Sequence, residues 1–165
     1  MKNAFKISFG MIWGGFKGVV HALVPGLFTT AASDKIKNLH TYIEERDNKK
    51  PTAQMIGRWQ PFHDGHYALF EEIIKKTGQV CIQVRDVQGV EDNPFNFDTV
   101  KKNIESKLST KYKNRFKVIL VPNVTNICYG RGVGYKIEEI VLPEEIQQIS
   151  ATKIRAKMRK DGKLK

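Results

Sequence analysis

Two imidazoles, His63 and His66, stand three residues apart in the run Gly57-Arg58-Trp59-Gln60-Pro61-Phe62-His63-Asp64-Gly65-His66. The run follows an apolar pair, Met55-Ile56, and leads into Tyr67-Ala68-Leu69-Phe70-Glu71-Glu72-Ile73-Ile74, which has helical spacing. The histidines therefore fall at a strand-to-helix turn. Such turns bind phosphates in α/β sheets, because free backbone N–H groups and the positive helix end point at the anion. Gly65 lets a ligand approach the backbone closely. A second polar group, Ser150, Thr152, Lys153 and Arg155, opens another helical pattern near the far end. Hydroxyls, backbone N–H groups and a guanidinium at a helix start also make an anion site. Ser150 reads equally well as a plain helix cap.

Together these stretches match, in order, the motifs (His/Thr)-x-Gly-His and Ile-Ser-x-Thr-x-x-Arg. From roughly Thr52 to Arg159 the chain resembles the nucleotidyltransferase superfamily that includes cytidylyltransferases and nicotinamide-mononucleotide adenylyltransferases. The resemblance implies transfer of a nucleoside monophosphate, CMP or AMP, from a nucleoside triphosphate to a small phosphorylated acceptor, with release of pyrophosphate. It implies contact of His66 with the α-phosphate and of His63 with the neighbouring phosphate region. Ser150, Thr152 and Arg155 would hold the β- and γ-phosphates, with Lys153 secondary. The adenylyltransferase relatives carry a similar Gly-Arg-x-Gln-Pro-x-His segment, which implies Gln60 as a positioning group; Gly57, Arg58, Phe62 and Gly65 are expected with it in binding the nucleotide and its phosphates. Arg58 reads equally as a surface ion pair, and the aromatics Trp59 and Phe62 more readily as packing of the loop. A similar Asn-Pro-Phe turn lies beside the relatives' acceptor site, which draws in Asn93 with Asp86; Arg131, in the Gly-rich loop after the apolar pair Ile127-Cys128, would contact base or acceptor from a strand end. Nicotinamide, pantetheine-phosphate and sulfate acceptors all remain open.

Such a reaction asks little covalent chemistry of the protein; positioning and charge stabilisation do most of it. No carboxylate cluster for a protein-held metal is visible in the sequence. Mg2+ is expected to arrive with the triphosphate, coordinated mostly by phosphate and water.

The elements that must position these residues alternate in type. Strands are expected at 53–57, 79–85 and 116–121, with a further short one at 137–142. Helices are expected at 65–76, about 98–108, and 150–159. Near-continuous apolar runs such as Val118-Ile119-Leu120-Val121 suit a buried parallel sheet. The expected fold is α/β, a Rossmann-like parallel sheet over 51–165, preceded in 1–50 by a helical hairpin. In that hairpin, Phe5, Phe9, Ile12, Phe16, Val19 and Leu23 fall on one helical face. Gly10, Gly14, Gly18 and Ala22 repeat every four residues on another, a ridge suited to close helix contact. Pro25-Gly26 would stop this helix. A second helix, capped by Ser33, would run to about Arg46, and residues 47–51 would link to the sheet. The segment His21-Ala22-Leu23-Val24-Pro25 with Leu27-Phe28 is similar to small uncharacterised bacterial proteins with a hydrophobic helix, which implies no activity.

The formal net charge is +11. Residues 1–50 carry eight Lys/Arg against four Asp/Glu, and 51–165 carry twenty against thirteen. The excess after Ser150 would attract polyanions, yet no zinc-knuckle, helix-turn-helix or RNA-recognition pattern accompanies it. No specific nucleic-acid partner is therefore expected; a basic nucleic-acid-binding module and a membrane-tethered ligand-binding adaptor are the other classes. Cys81 and Cys128 lack metal-ligand spacing and read as buried free thiols of a reducing compartment. Lys2 and Lys6 ahead of an apolar run also outline a secretory signal. The need for a cytosolic triphosphate speaks against it and points to the cytoplasm. Residues 5–28 are near the length of a membrane span but are interrupted by Lys17 and His21. They would serve either membrane association or assembly of a homo-oligomer.

Overall fold

The computed structural model describes residues 2–24, 29–89, 92–132, 134 and 136–164. The chain divides into two compact units, Met1–Lys50 and Pro51–Lys165.

The first unit is a helical hairpin of α1 (Lys2–Leu23) and α2 (Ala31–Asn48). Two glycines of the α1 ridge face its partner: a Cβ on Gly10 would meet Lys35 Nζ at 2.5 Å and one on Gly14 would meet Lys35 Cγ at 3.2 Å, whereas one on Gly18 would meet nothing within 4 Å. Gly14 thus gives the stem of Lys35 room, while the Lys35 ammonium could swing away from a side chain at position 10. Helix α1 ends at Leu23, ahead of Pro25 and Gly26, which lie outside the described residues. Helix α2 starts two residues before the expected cap Ser33; Thr30 takes the cap position without a side-chain bond. Ala31 and Ala32 are strong helix formers and extend the helix upstream. It also continues through Asp47 and Asn48, which were expected to be linker. Among the described residues no helix is long and apolar enough to cross a membrane.

The second unit is α/β and Rossmann-like. Its elements run β1 (Ala53–Gly57), α3 (Asp64–Thr77), β2 (Val80–Arg85), α4 (Phe97–Tyr112), β3 (Phe116–Val121), α5 (Glu144–Gln147) and α6 (Ala151–Lys160). The three strands form a parallel sheet in the order β1-β2-β3. Met55 stands beside Ile82, and Ile82 beside Val118. Burial of Val80, Ile82 and Val84 alternates with half-exposed Cys81, Gln83 and Arg85. Strand β2 is therefore not the continuous buried run expected of a sheet covered on both faces, because polar residues occupy its alternate positions. Phe70, Ile73 and Ile74 of α3 join Val100, Ile104, Leu108 and Tyr112 of α4 in the core with these strand residues. The four-residue spacing on α4 is a helix face turned fully inward. Tyr112 ties the two helices: its hydroxyl donates to Glu71 at 2.6 Å, and its ring meets Phe70 edge-on at 5.1 Å.

The strand expected at 137–142 is absent; the segment is irregular, with Ile137 and Val141 exposed. Only Ile140 of this stretch packs against the core, so an extended ladder would have no face to bury. Cys128 likewise is exposed in irregular chain, since Ile127-Cys128 is too short an apolar pair to make a strand between Asn126 and Tyr129. Cys81 is half-buried, and both thiols are free.

Candidate active site

The loop between β1 and α3 is built around a buried indole. Trp59 has φ of 53°, a conformation rare outside glycine. Its Nε1 donates to Gln83 O at 2.9 Å, which anchors the loop to β2. Gly57 makes room for the ring: a Cβ there would lie 2.7 Å from the indole. Phe62 is buried against the same ring. Both aromatics therefore pack the loop.

His63 holds the N-cap position of α3, with φ of −128° and ψ of 178°. It and His66 are arranged as a capping box. One arm closes as a hydrogen bond, from the His63 backbone N–H to His66 Nδ1 at 3.3 Å. The reciprocal arm falls short of bonding geometry, and His63 Nδ1 is buried without a partner. The two rings stack with centroids 3.6 Å apart. Gly65 permits this, since a Cβ would press on the His63 ring at 3.1 Å and on Ile146 O at 3.4 Å. Burial, then the charges of His63 and Lys107, push the pKa of His66 down to about 3. Burial, then Lys107, lowers that of His63 as well. Both rings are accordingly neutral at pH 7. Because Nδ1 of His66 accepts, its proton resides on Nε2, leaving one N–H to offer outward.

The second motif joins the first through Gln60. The Gln60 side chain pairs with the Phe95 backbone twice: Nε2 donates to Phe95 O at 2.8 Å, and Oε1 accepts from Phe95 N at 2.9 Å. Its backbone carbonyl accepts from Arg155 Nη1 at 2.6 Å. Arg155 is only 3% exposed. Its Nη2 bonds Asp92 Oδ1 at 2.9 Å and Thr152 Oγ1 at 3.2 Å. The guanidinium thus spends its terminal nitrogens on the protein, rather than standing open as expected of a phosphate clamp. Ser150 occupies the N-cap of α6 without a side-chain cap bond, so its hydroxyl is not consumed there. Lys153 is exposed on the first turn of α6. The contact of Gly65 with Ile146 O puts the start of α3 beside the chain that leads into α6.

The structure therefore gathers Gly57, Gln60, Phe62, His63, Gly65, His66, Thr152 and Arg155 around one loop. Asn93 is buried in the turn that Gln60 and Arg155 hold, and its carbonyl accepts from Gly89 N at 2.9 Å. Arg58 is exposed, with no hydrogen bond or ion pair among the described residues. Asp86 is exposed after β2, and Arg131 lies exposed in irregular chain; neither side chain is bonded to the cluster. Two residues here were not legible beforehand. Asp92 is the carboxylate of Arg155. Lys107 on α4 pairs with Asp64 Oδ1 at 2.6 Å and sets a cation beside both histidines. It is 43 residues from Asp64, so only the packing of α4 on α3 brings it there.

A family of unknown function (DUF6356) matches residues 1–46. Over 72 residues, 42% of the chain, the sequence is 33% identical to a nicotinamide-nucleotide adenylyltransferase of Methanococcus aeolicus, of which it covers 40%. The chain thus spans less than half the length of the curated relative it matches. At a coarse level that similarity is to the nucleotidyltransferase class.

Proposed function

We propose that the second unit is a nucleotidyltransferase. A nucleophilic oxygen of a small phosphorylated acceptor attacks the α-phosphorus of a nucleoside triphosphate. The bond from that phosphorus to the α–β bridging oxygen breaks, and pyrophosphate departs with the electron pair. What carries this reading is the tie between two helix starts: Arg155 of α6 bonds the carbonyl of Gln60 in the loop that leads to α3. Two sets of free N–H groups then serve one anion-rich ligand. His66, through Nε2–H, offers a donor to the α-phosphate oxygens as charge develops on them. The partnerless Nδ1 of His63 is a buried polar atom whose pairing a ligand would complete. Ser150, Thr152 and Lys153 receive the departing phosphates, and Arg155 fixes the loop that aims them. Arg58 would reach phosphate or acceptor from the open end of β1, and the Asn93 turn would face the acceptor, with Asp86 and Arg131 as further candidate acceptor contacts.

Among the described residues no three His, Cys, Asp or Glu side chains could hold a metal ion together. Mg2+ would enter with the triphosphate, held mostly by phosphate oxygens and water. The name of the Methanococcus relative supports ATP with nicotinamide mononucleotide as the first pair to try, ahead of CTP with a phosphorylated alcohol. A pyrophosphate-release assay over the four triphosphates, each with and without phosphorylated acceptors, tests the proposal. Acceptor-dependent release with one triphosphate is expected. No release with any pair, alongside tight binding of nucleotide, would favour a ligand-binding adaptor instead.

A further inference from the structure

The hairpin of the first unit leaves its largest apolar surface uncovered. Phe5, Phe9, Ile12, Phe16, Val19 and Leu23 are each between 59% and 77% exposed. At 100° per residue they form one stripe about 27 Å long down α1. The glycines that meet α2 lie roughly on the opposite side of the helix, so the hairpin contact does nothing to bury the stripe. Trp13 is also half exposed at its flank, stacked on Phe16 at 5.8 Å, with Lys17 Nζ 5.8 Å from its ring.

We propose that α1 lies flat in the interface of a membrane rich in anionic lipid, stripe down, with α2 on its aqueous side. Charge selects this occupant. The sequence before Asp34 contains Lys2, Lys6 and Lys17 and no Asp or Glu. An apolar stripe on a helix whose charged side chains are all cationic complements anionic headgroups. A Trp and Lys pair at the border of the stripe is the arrangement that seats an amphipathic ring and a snorkelling ammonium at headgroup level. No described helix can cross the bilayer, which leaves the in-plane pose. The four-three spacing of the stripe would also suit a coiled coil with a second copy. Against that, α1 carries Lys2, Lys6 and Lys17 and no carboxylate, so two such helices side by side would bring only like charges together. The proposal concerns the first unit and does not depend on the nucleotidyl-transfer reading.

The test is sedimentation of the full chain with phosphatidylcholine vesicles containing 0 or about 30% phosphatidylglycerol, at low and high salt. The protein should pellet with the anionic vesicles, less with neutral ones, and less at high salt. Brominated lipid should quench its fluorescence, and Trp13→Phe should remove that quenching, since Trp59 is buried. Phe9→Glu with Phe16→Glu should lower partitioning at least about a hundredfold. Should that pair of changes melt the hairpin, Lys17→Glu reads the same question: about a tenfold loss on anionic vesicles and little change on neutral ones. Protein that stays in the supernatant, or pellets regardless of phosphatidylglycerol, overturns the proposal. So does a discrete oligomer in lipid-free buffer that anionic vesicles fail to dissociate, which would assign the stripe to a second copy.

Discussion

Arg155 donates to the backbone carbonyl of Gln60 across 95 residues of sequence, at 2.6 Å and almost wholly out of contact with water. Gln60 in turn clasps the Phe95 backbone with both ends of its amide. One glutamine thereby joins three segments: the histidine loop, the Asn-Pro-Phe turn and the last helix. An arginine used in this way would act on the proposed reaction through geometry.

Arg155→Ala removes the charged donor of this junction. Its loss should cost about 1.5–3 kcal/mol of unfolding free energy, the range for hydrogen bonds to a charged group. The triphosphate KM should rise as the loop loses its aim. Arg155→Lys should recover only part of both, because an ammonium cannot reach Gln60 and Asp92 together as a fork does. Urea denaturation with steady-state kinetics measures the pair of effects; unchanged stability with unchanged KM would remove Arg155 from the site.

His66→Asn keeps an acceptor near the position of Nδ1 and deletes the Nε2–H donor. Turnover should fall by about 3–4 kcal/mol in activation free energy, with the fold retained by circular dichroism. Near-normal turnover would show that this histidine only shapes the start of α3.

The depressed pKa of His66 has a consequence for stability against pH. The folded value of about 3 lies below the ordinary 6.5, so the unfolded chain binds the proton more readily. This neutral imidazole therefore costs nothing at pH 7. Stability is lost as pH falls from about 6.5 toward 3, and the loss levels off below that. A Tm-against-pH series should show a shallower acid decline in His66→Asn than in the wild type. Parallel curves would contradict the burial assigned to this ring.

Gly57→Ala should displace the indole of Trp59, because the new methyl would sit 2.7 Å from it. Overpacking of this kind costs about 1–3 kcal/mol. The emission of Trp59 should shift to the red as the bond to Gln83 loosens. An unshifted spectrum with wild-type stability would show that the loop has another place for the ring.

Much of this molecule could be read from local pattern. Strands β1, β2 and β3 fall within a residue of their expected limits, because each is a short apolar run between polar turns, and α3 follows from Phe70, Ile73 and Ile74 at helical spacing. The histidine loop was legible as a turn for the same reason. What local pattern could not supply was partnership over distance. Ile137 and Val141 look like strand residues, yet no sheet edge takes them up. Asp92 and Lys107 carry no signal of their own; only folding brings them to Arg155 and Asp64. The guanidinium of Arg155 looked like a hand for phosphate, and its engagement with Gln60 depends on a carbonyl that any residue possesses.

The junction at Gln60 also sets an order of events during synthesis. Residues 53–121 contain every strand of the sheet and both helices that cover it. A nascent chain that has emerged through β3 can bury its core, but the loop bearing the histidines still lacks the guanidinium that fastens it. Contacts of such long sequence separation close late. On the proposed function, nucleotide binding would therefore wait until α6 has been made and Arg155 has reached Gln60.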